Sequence, residues 1–252
     1  MRAFSPPSFA RHRQAGFTMI ELMVAVAIAL FIAAGLTVLF LNTHSTFSTQ
    51  DKFSQLQDSQ RLAIIMLTTT TQTAGYFVDP LNNTVDDALP ASALASSDGT
   101  TFTTGQGISG TGSSTSTGSD TLNVRYQTAS GDGVMNCLGV SNPPSSGAPV
   151  IWVNSFAINA SNELTCSVNG GAVVPLVSNV VKMSILYGVD ADDDGNIDSY
   201  LNATAISNAS LWSNVHTAQF SLSFIDPTSS RPGFPVPLPH PWIQTVSLMN
   251  QK

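Results

Sequence analysis

The sequence predicts an α+β protein: one long N-terminal helix packed on a mostly antiparallel β-sheet head that carries one disulfide. Three observations carry this. Residues 17–41 form an apolar run whose single charge is Glu21. Offsets of 3, 10, 11 and 14 from Phe53 then put Leu56, Ala63, Ile64 and Leu67 on one helical face. After Asp120, apolar residues recur with period two between clusters of Gly, Pro, Asn and Ser.

The apolar run FTMIELMVAVAIALFIAAGLTVLFL is about 37 Å long as a helix, enough to cross a hydrocarbon core of about 30 Å. A secretory signal peptide would be shorter and would end in small residues at a cleavage site. Here the run passes straight into a polar, helix-compatible segment, and residues 17–79 contain no proline, so an unkinked helix from 17 to 75 is expected. Phe47 and Phe53 are assigned to the apolar stripe of its second half, and Gly75 is read as the terminator. An exposed coiled-coil stalk is the competing reading of residues 42–74.

Residues 76–120 read as an irregular surface loop, broken by Pro80 and Pro90 and almost entirely Gly, Ser and Thr from 99 to 118. Gly105, Gly107 and Gly110 spell G-x-G-x-x-G, but no strand precedes them and no helix follows, so a dinucleotide site is rejected. Strands are expected around Leu122–Tyr126, at 150–158, 180–189 and 218–225, and at 242–249. The amphipathic half of the helix is the available cover for the sheet. The run RPGFPVPLPHP at 231–241 reads as an extended loop, a polyproline ligand being the alternative.

Composition excludes several function classes. Charged residues are 10% of the 252, against roughly 25% in an ordinary soluble domain, and mean hydropathy is +0.15. A disordered chain would be more polar, and a polytopic membrane protein would need more than one spanning run. The net charge of −7 leaves no basic stripe for nucleic acid. Arg2, Arg11 and Arg13 precede the apolar run, whereas all sixteen acidic residues lie at or after Glu21. That asymmetry predicts a cytoplasmic N-terminus and an exported body. The histidines at 12, 44, 216 and 240 have no zinc-ligand spacing, and no G-x-S-x-G elbow exists, so no enzyme is expected.

The chemistry-bearing residues are few. Cys137 and Cys166 should be oxidised in an exported domain, closing a loop worth roughly 3–4 kcal/mol in the chain-entropy model. In YGVDADDDGNIDSY, Asp190, Asp192 and Asp194 occupy positions 1, 3 and 5 of a D-x-D-x-D-G loop, with the Asn196 carbonyl and Asp198 at positions 7 and 9. Alternate carboxylates with a glycine after the third suit Ca²⁺. Leu201 stands where the bidentate glutamate would be, so weak binding is expected, and a solvated acidic turn is the alternative.

The junction RQAGFTMIELMVA resembles the class III signal of type IV prepilins and of type II secretion pseudopilins. With TQDKFSQLQDSQRLA, QTAGY and the Asp-rich turn after YGVD, the chain resembles the PilW family of minor pilins. The resemblance implies a leader at 1–16 cut between Gly16 and Phe17 by a prepilin peptidase, and methylation of the new N-terminus. It implies a transmembrane helix at 17–41, an amphipathic continuation at 42–75 and a periplasmic head at 76–252. Glu21, a costly carboxylate in lipid, would meet the N-terminal amine of a neighbouring subunit. The implied partners are other minor pilins, the major pilin and the inner-membrane assembly platform, with no direct nucleic-acid contact. The implied place is the inner membrane of a Gram-negative bacterium as a single-pass protein, then the pilus and the cell surface. The implied function is assembly of a type IV pilus in a priming or tip complex. A type II secretion pseudopilin and a tip-located adhesin-like binding module are the alternatives.

Overall fold

Helix α1 runs from Met19 to Gln72 without interruption. In this computed structural model, residues 16–92, 96–113, 115, 118–228 and 236–249 are described; of the leader expected at 1–16, residues 1–15 lie outside them. The chain divides into two compact units, residues 1–51 and 52–252.

In the first unit, α1 is exposed on every side. The large apolar residues from Phe17 to Leu41 that stand out are 50–86% exposed. Threonines 37, 43 and 46 donate their hydroxyls back to the carbonyls of Ala33, Leu39 and Asn42 at 2.8–2.9 Å. Such bonds let Thr37 ride in an apolar segment without an unpaired hydroxyl.

In the second unit, α1 buries Leu56, Ala63, Leu67, Thr70 and Thr71 on one face. Phe53 remains 40% exposed, one turn before the first buried residue, and Phe47 in the first unit is 61% exposed. The stripe therefore begins at Leu56, and the two phenylalanines do not belong to it. The helix also ends three residues early. Ala74 N–H bonds the Thr71 carbonyl and Tyr76 N–H the Thr73 carbonyl, tightening the chain into turns. Gly75 does adopt a left-handed φ of 75°, but its N–H donates to the Arg125 carbonyl and ties the turn to a strand.

The head holds two antiparallel sheets where one was expected. The first is a meander in the order β1 (Ile108–Thr111), β2 (Thr121–Thr128), β3 (Val150–Ile158), β4 (Glu163–Val168) and β5 (Val174–Ser178). The second has the order β7 (Ser199–Leu201), β6 (Val180–Val189), β8 (Val215–Phe224) and β9 (Trp242–Ser247). Leu122, Val124, Tyr126, Phe156 and Cys166 from the first sheet share one core with Ile185, Tyr187, Phe220 and Val246 from the second, and with the α1 stripe. The β4–β5 hairpin turns through Asn169 (φ 51°) and Gly170 (φ 69°), with Gly171 N–H on the Val168 carbonyl. Two central residues at positive φ make this the hairpin turn for which Asn-Gly is the strongest short signal.

The segment 76–120 is not a loop held in solvent. It forms α2 (Val85–Ala88), capped by the Thr84 hydroxyl on Asp87 N–H, and then β1. The G-x-G-x-x-G glycines close on the fold: a side chain at Gly107 would strike the Gly75 backbone, and one at Gly110 would strike the Tyr187 hydroxyl and the Thr121 carbonyl. Between α2 and β1 the chain buries Leu89, Phe102 and Gln106. It covers the second face of β2, which is why Asn123 and Arg125 are fully buried in a strand whose alternation suggested a solvated face.

Arg125 and Asp98 hold this cover in place. The Arg125 guanidinium donates to the carbonyls of Gln106 (2.9 Å), Pro90 (2.7 Å), Leu89 (3.2 Å) and Thr103 (2.9 Å), and lies 4.8 Å from the Phe102 ring centre. Burial pushes it down to about 10, so it stays cationic at neutral pH. Asp98 accepts from Asn123 Nδ2 (2.8 Å), Thr100 N–H (3.0 Å) and the hydroxyls of Ser96, Thr100 and Thr121. Burial alone would raise the Asp98 carboxyl, but these donors outweigh it and hold it at about 2.

Cys137 and Cys166 are bonded as expected, with Cα atoms 6.5 Å apart, fastening the 129–149 excursion to β4. Helix α3 (Ala203–Ala209) follows β7, capped by the Asn202 side chain on Ala205 N–H, and leads into a 3-10 turn at Trp212–Asn214. Of the Pro-rich run, residues 231–235 lie outside the described residues, while Pro237 bridges to Ile225.

Candidate functional site

Two places hold the residues singled out from the sequence. The first is the start of α1. Gly16 and Phe17 precede the helix, Phe17 is 83% exposed, and Leu22 N–H bonds the Thr18 carbonyl to open the first turn. Glu21 stands in that first turn. A carboxylate there is favoured by the partial positive charge of unpaired N–H groups at a helix start. The helix it opens is long and apolar enough to cross a bilayer, with a mean hydropathy of 2.8 over its best stretch.

The second is the β6–β7 connection. Asp190 directly follows β6 and is 1% exposed. Its carboxylate accepts from Gly195 N–H at 2.7 Å and Asp194 N–H at 3.2 Å, so it curls the loop around itself. Asp193 (φ 61°) and Gly195 (φ 88°) supply the left-handed residues this curl requires. Asp194 in turn accepts from Asn196 N–H at 2.8 Å, and Asp198 from Ala191 N–H at 2.7 Å.

The loop draws carboxylate oxygens of Asp190, Asp192 and Asp194 within 4.8 Å of one another, a spacing that one cation could bridge. Asp198 stands outside that group. Electrostatics show the crowding. The Asp192 carboxyl is raised above its usual range, chiefly by Asp194 and then by Asp198. Burial would raise Asp190 as well, but the N–H groups of Gly195, Asp194 and Asp193, with His216 nearby, hold it low.

Sequence spacing missed His216. It comes from β8, where Val189 pairs with Val215 and Gly188 with Thr217, leaving His216 as the extra residue of a bulge. A bulge re-aims a side chain, and here it brings His216 within 4.8 Å of Asp190 and Asp193 oxygens. Only the β6–β8 register reveals that proximity.

Two comparisons identify stretches of the chain. Residues 144–229 match the family model of the type IV pilus-assembly protein W, a span that includes β3 to β8 and the acidic loop. Residues 11–37 match the prokaryotic N-terminal methylation motif, which brackets Gly16, Phe17 and Glu21. No curated protein matches the chain.

Proposed function

We propose that this chain is a PilW-family type IV minor pilin that joins other minor pilins in the complex that primes or caps the fibre, a reading supported by the pilus-assembly protein W match at 144–229 and the methylation motif at 11–37. The carrying observation is the coincidence of a methylation motif at 11–37, an apolar first half of α1 exposed on all sides and a match to the pilus-assembly protein W model in the head. Anchoring in the membrane and association with the pilus follow from the motif and the helix. In this reading the leader 1–16 stays cytoplasmic, the helix crosses the inner membrane once, and the head lies in the periplasm before it moves to the cell surface.

A prepilin peptidase cuts after Gly16, and the amine of Phe17 is methylated. The new ammonium can neutralise the carboxylate of Glu21 on a neighbouring pilin, since an intramembrane charge is tolerable only when paired. The major pilin and the assembly platform are the further partners. The role is structural. Asp190, Asp192 and Asp194 bind Ca²⁺ directly, with Asp198 through water and the Asn196 carbonyl completing the set; position 9 of such loops commonly ligates through water. The ion relieves carboxylate repulsion and stiffens the β6–β7 connection.

The test is mass spectrometry of the protein's native N-terminus, with a count of surface fibres in cells lacking it. A chain beginning at N-methylated Phe17 and a loss of fibres restored by the wild-type protein are expected. A chain retaining residues 1–16, or normal fibres in its absence, overturns the reading.

A further inference from the structure

A cleft of about 460 Å³ opens between β1, the 99–106 segment and the α3 corner of the head. That volume falls in the range of about 300–1,000 Å³ usual for small-molecule sites. Its described lining is hydroxyl-rich, including Thr101, Ser109, Ser207 and Ser210, and contains no Asp, Glu, Lys or Arg. A site without charge suits a ligand without formal charge, since it holds no cationic side chain to pair with a phosphate or a carboxylate.

One aromatic side chain lines the cleft, Trp212, and it is fixed from two directions. Its indole N–H donates to the Ser207 hydroxyl at 3.0 Å, and its ring meets that of Tyr187 edge-on at 5.0 Å and 78°. A half-buried indole held this way is a preorganised platform, which lowers the ordering cost of binding.

The floor carries an unmet hydrogen-bonding demand. Ser109 is 3% exposed, and its hydroxyl has no partner. Behind Gly110 the buried Tyr187 hydroxyl is likewise unpartnered. The Ser109 hydroxyl is closed to solvent, and turning its side chain toward the cleft would let a ligand hydroxyl supply the partner it lacks.

We propose that this cleft binds a neutral saccharide, a hexose or short oligosaccharide, with one apolar ring face on Trp212 and its hydroxyls on Ser109 and the surrounding serines and threonines. The pyranose ring combines a C–H face with a rim of hydroxyls, which is the pairing this lining offers. The inference rests on the head alone and stands whether or not the fibre role holds.

The test uses the full chain in a polyoxyethylene detergent, which carries no sugar, titrated with maltose, lactose, cellobiose and N,N′-diacetylchitobiose. Binding is read by calorimetry and by saturation-transfer NMR. At least one disaccharide should bind, and Trp212→Ala should weaken it about tenfold or more, equivalent to about 1.4 kcal/mol. Ser109→Ala keeps the protein safe from misfolding as an explanation: it removes a buried unpaired hydroxyl, so the melting temperature should hold or rise while affinity falls several-fold. A sialylated lactose should bind more weakly than lactose. The proposal is overturned if none of the four disaccharides binds at about 10 mM, if both variants bind as the wild type does, or if the acidic sugar is preferred.

Discussion

Replacing Arg125 with methionine should unfasten the cover over β2. Arg125 is fully buried, and it is the shared donor for four backbone carbonyls between residues 89 and 106. Hydrogen bonds from a charged donor contribute about 1.5 kcal/mol each at the low end, so four of them amount to about 6 kcal/mol. Removing the cation also relieves its burial. Its fall from 12.5 to about 10 corresponds to about 3 kcal/mol at 1.36 per unit. The net loss is therefore about 3 kcal/mol, or a melting temperature lower by about 6–12 °C for a head of this size. Methionine fills the space but donates nothing, which isolates the polar term. Lysine retains the charge but has only a point donor on a flexible stem, so Arg125→Lys should fall between methionine and wild type. The assay is urea unfolding of the detergent-solubilised chain followed by near-ultraviolet circular dichroism, with hydrogen exchange on the Gly105 amide that bonds the Leu89 carbonyl. A loss under about 1 kcal/mol, with Gly105 protected as before, would refute the clamp.

Three further outcomes are expected. The folded Asp98 carboxyl lies at about 2 against 3.8 in the open chain. Its stabilisation is thus present above 3.8 and lost as pH falls toward 2. Asp98→Asn should flatten acid unfolding across that window by about 1 kcal/mol, a value discounted for partial exposure; an unchanged acid limb counts against it. Glu21→Ala should leave insertion and cleavage largely intact while reducing co-purification with other pilins; normal assembly of the variant would leave the ion-pair idea without support. Millimolar Ca²⁺ should raise the melting temperature of the head by a few degrees, from a dissociation constant of about 10⁻⁴–10⁻³ M and about 1.4 kcal/mol at tenfold excess. Asp192→Ala/Asp194→Ala should abolish the rise, and identical melting with EGTA would reduce the loop to an acidic turn.

Elements with strong periodicity were legible in the sequence. Val150–Ile158 and Val180–Val189 were bounded to the residue, because turn-forming clusters flank long β-branched runs. The β4–β5 hairpin was not anticipated, although Asn169–Gly170 announces it, since β5 is short and half exposed. The cover over β2 was illegible for a different reason. Its sequence is Gly, Ser and Thr with scattered apolar residues, and its order comes from Arg125 and Asp98, two ionic groups whose partners are mostly backbone carbonyls, hydroxyls and one amide. In the acidic loop, the carboxylate spacing was readable, but the approach of His216 depends on a bulge in a strand distant in sequence.

The placement of the α1 stripe also fixes the order in which the head can be completed during synthesis. Leu56, Ala63 and Leu67 emerge first, yet they share a core with Phe220 and Val246, and Met249 N–H closes on the Gln72 carbonyl at 3.3 Å. At about 5–20 residues per second, the helix waits roughly ten seconds or more for these strands. The first sheet shares that core and can form before the second, but the second sheet is complete only once β8 and β9 have emerged. A nascent chain halted before Trp242 would therefore carry β8 with an unpaired edge and lack the part of the core that Val246 supplies, an incomplete sheet of the kind that quality control recognises.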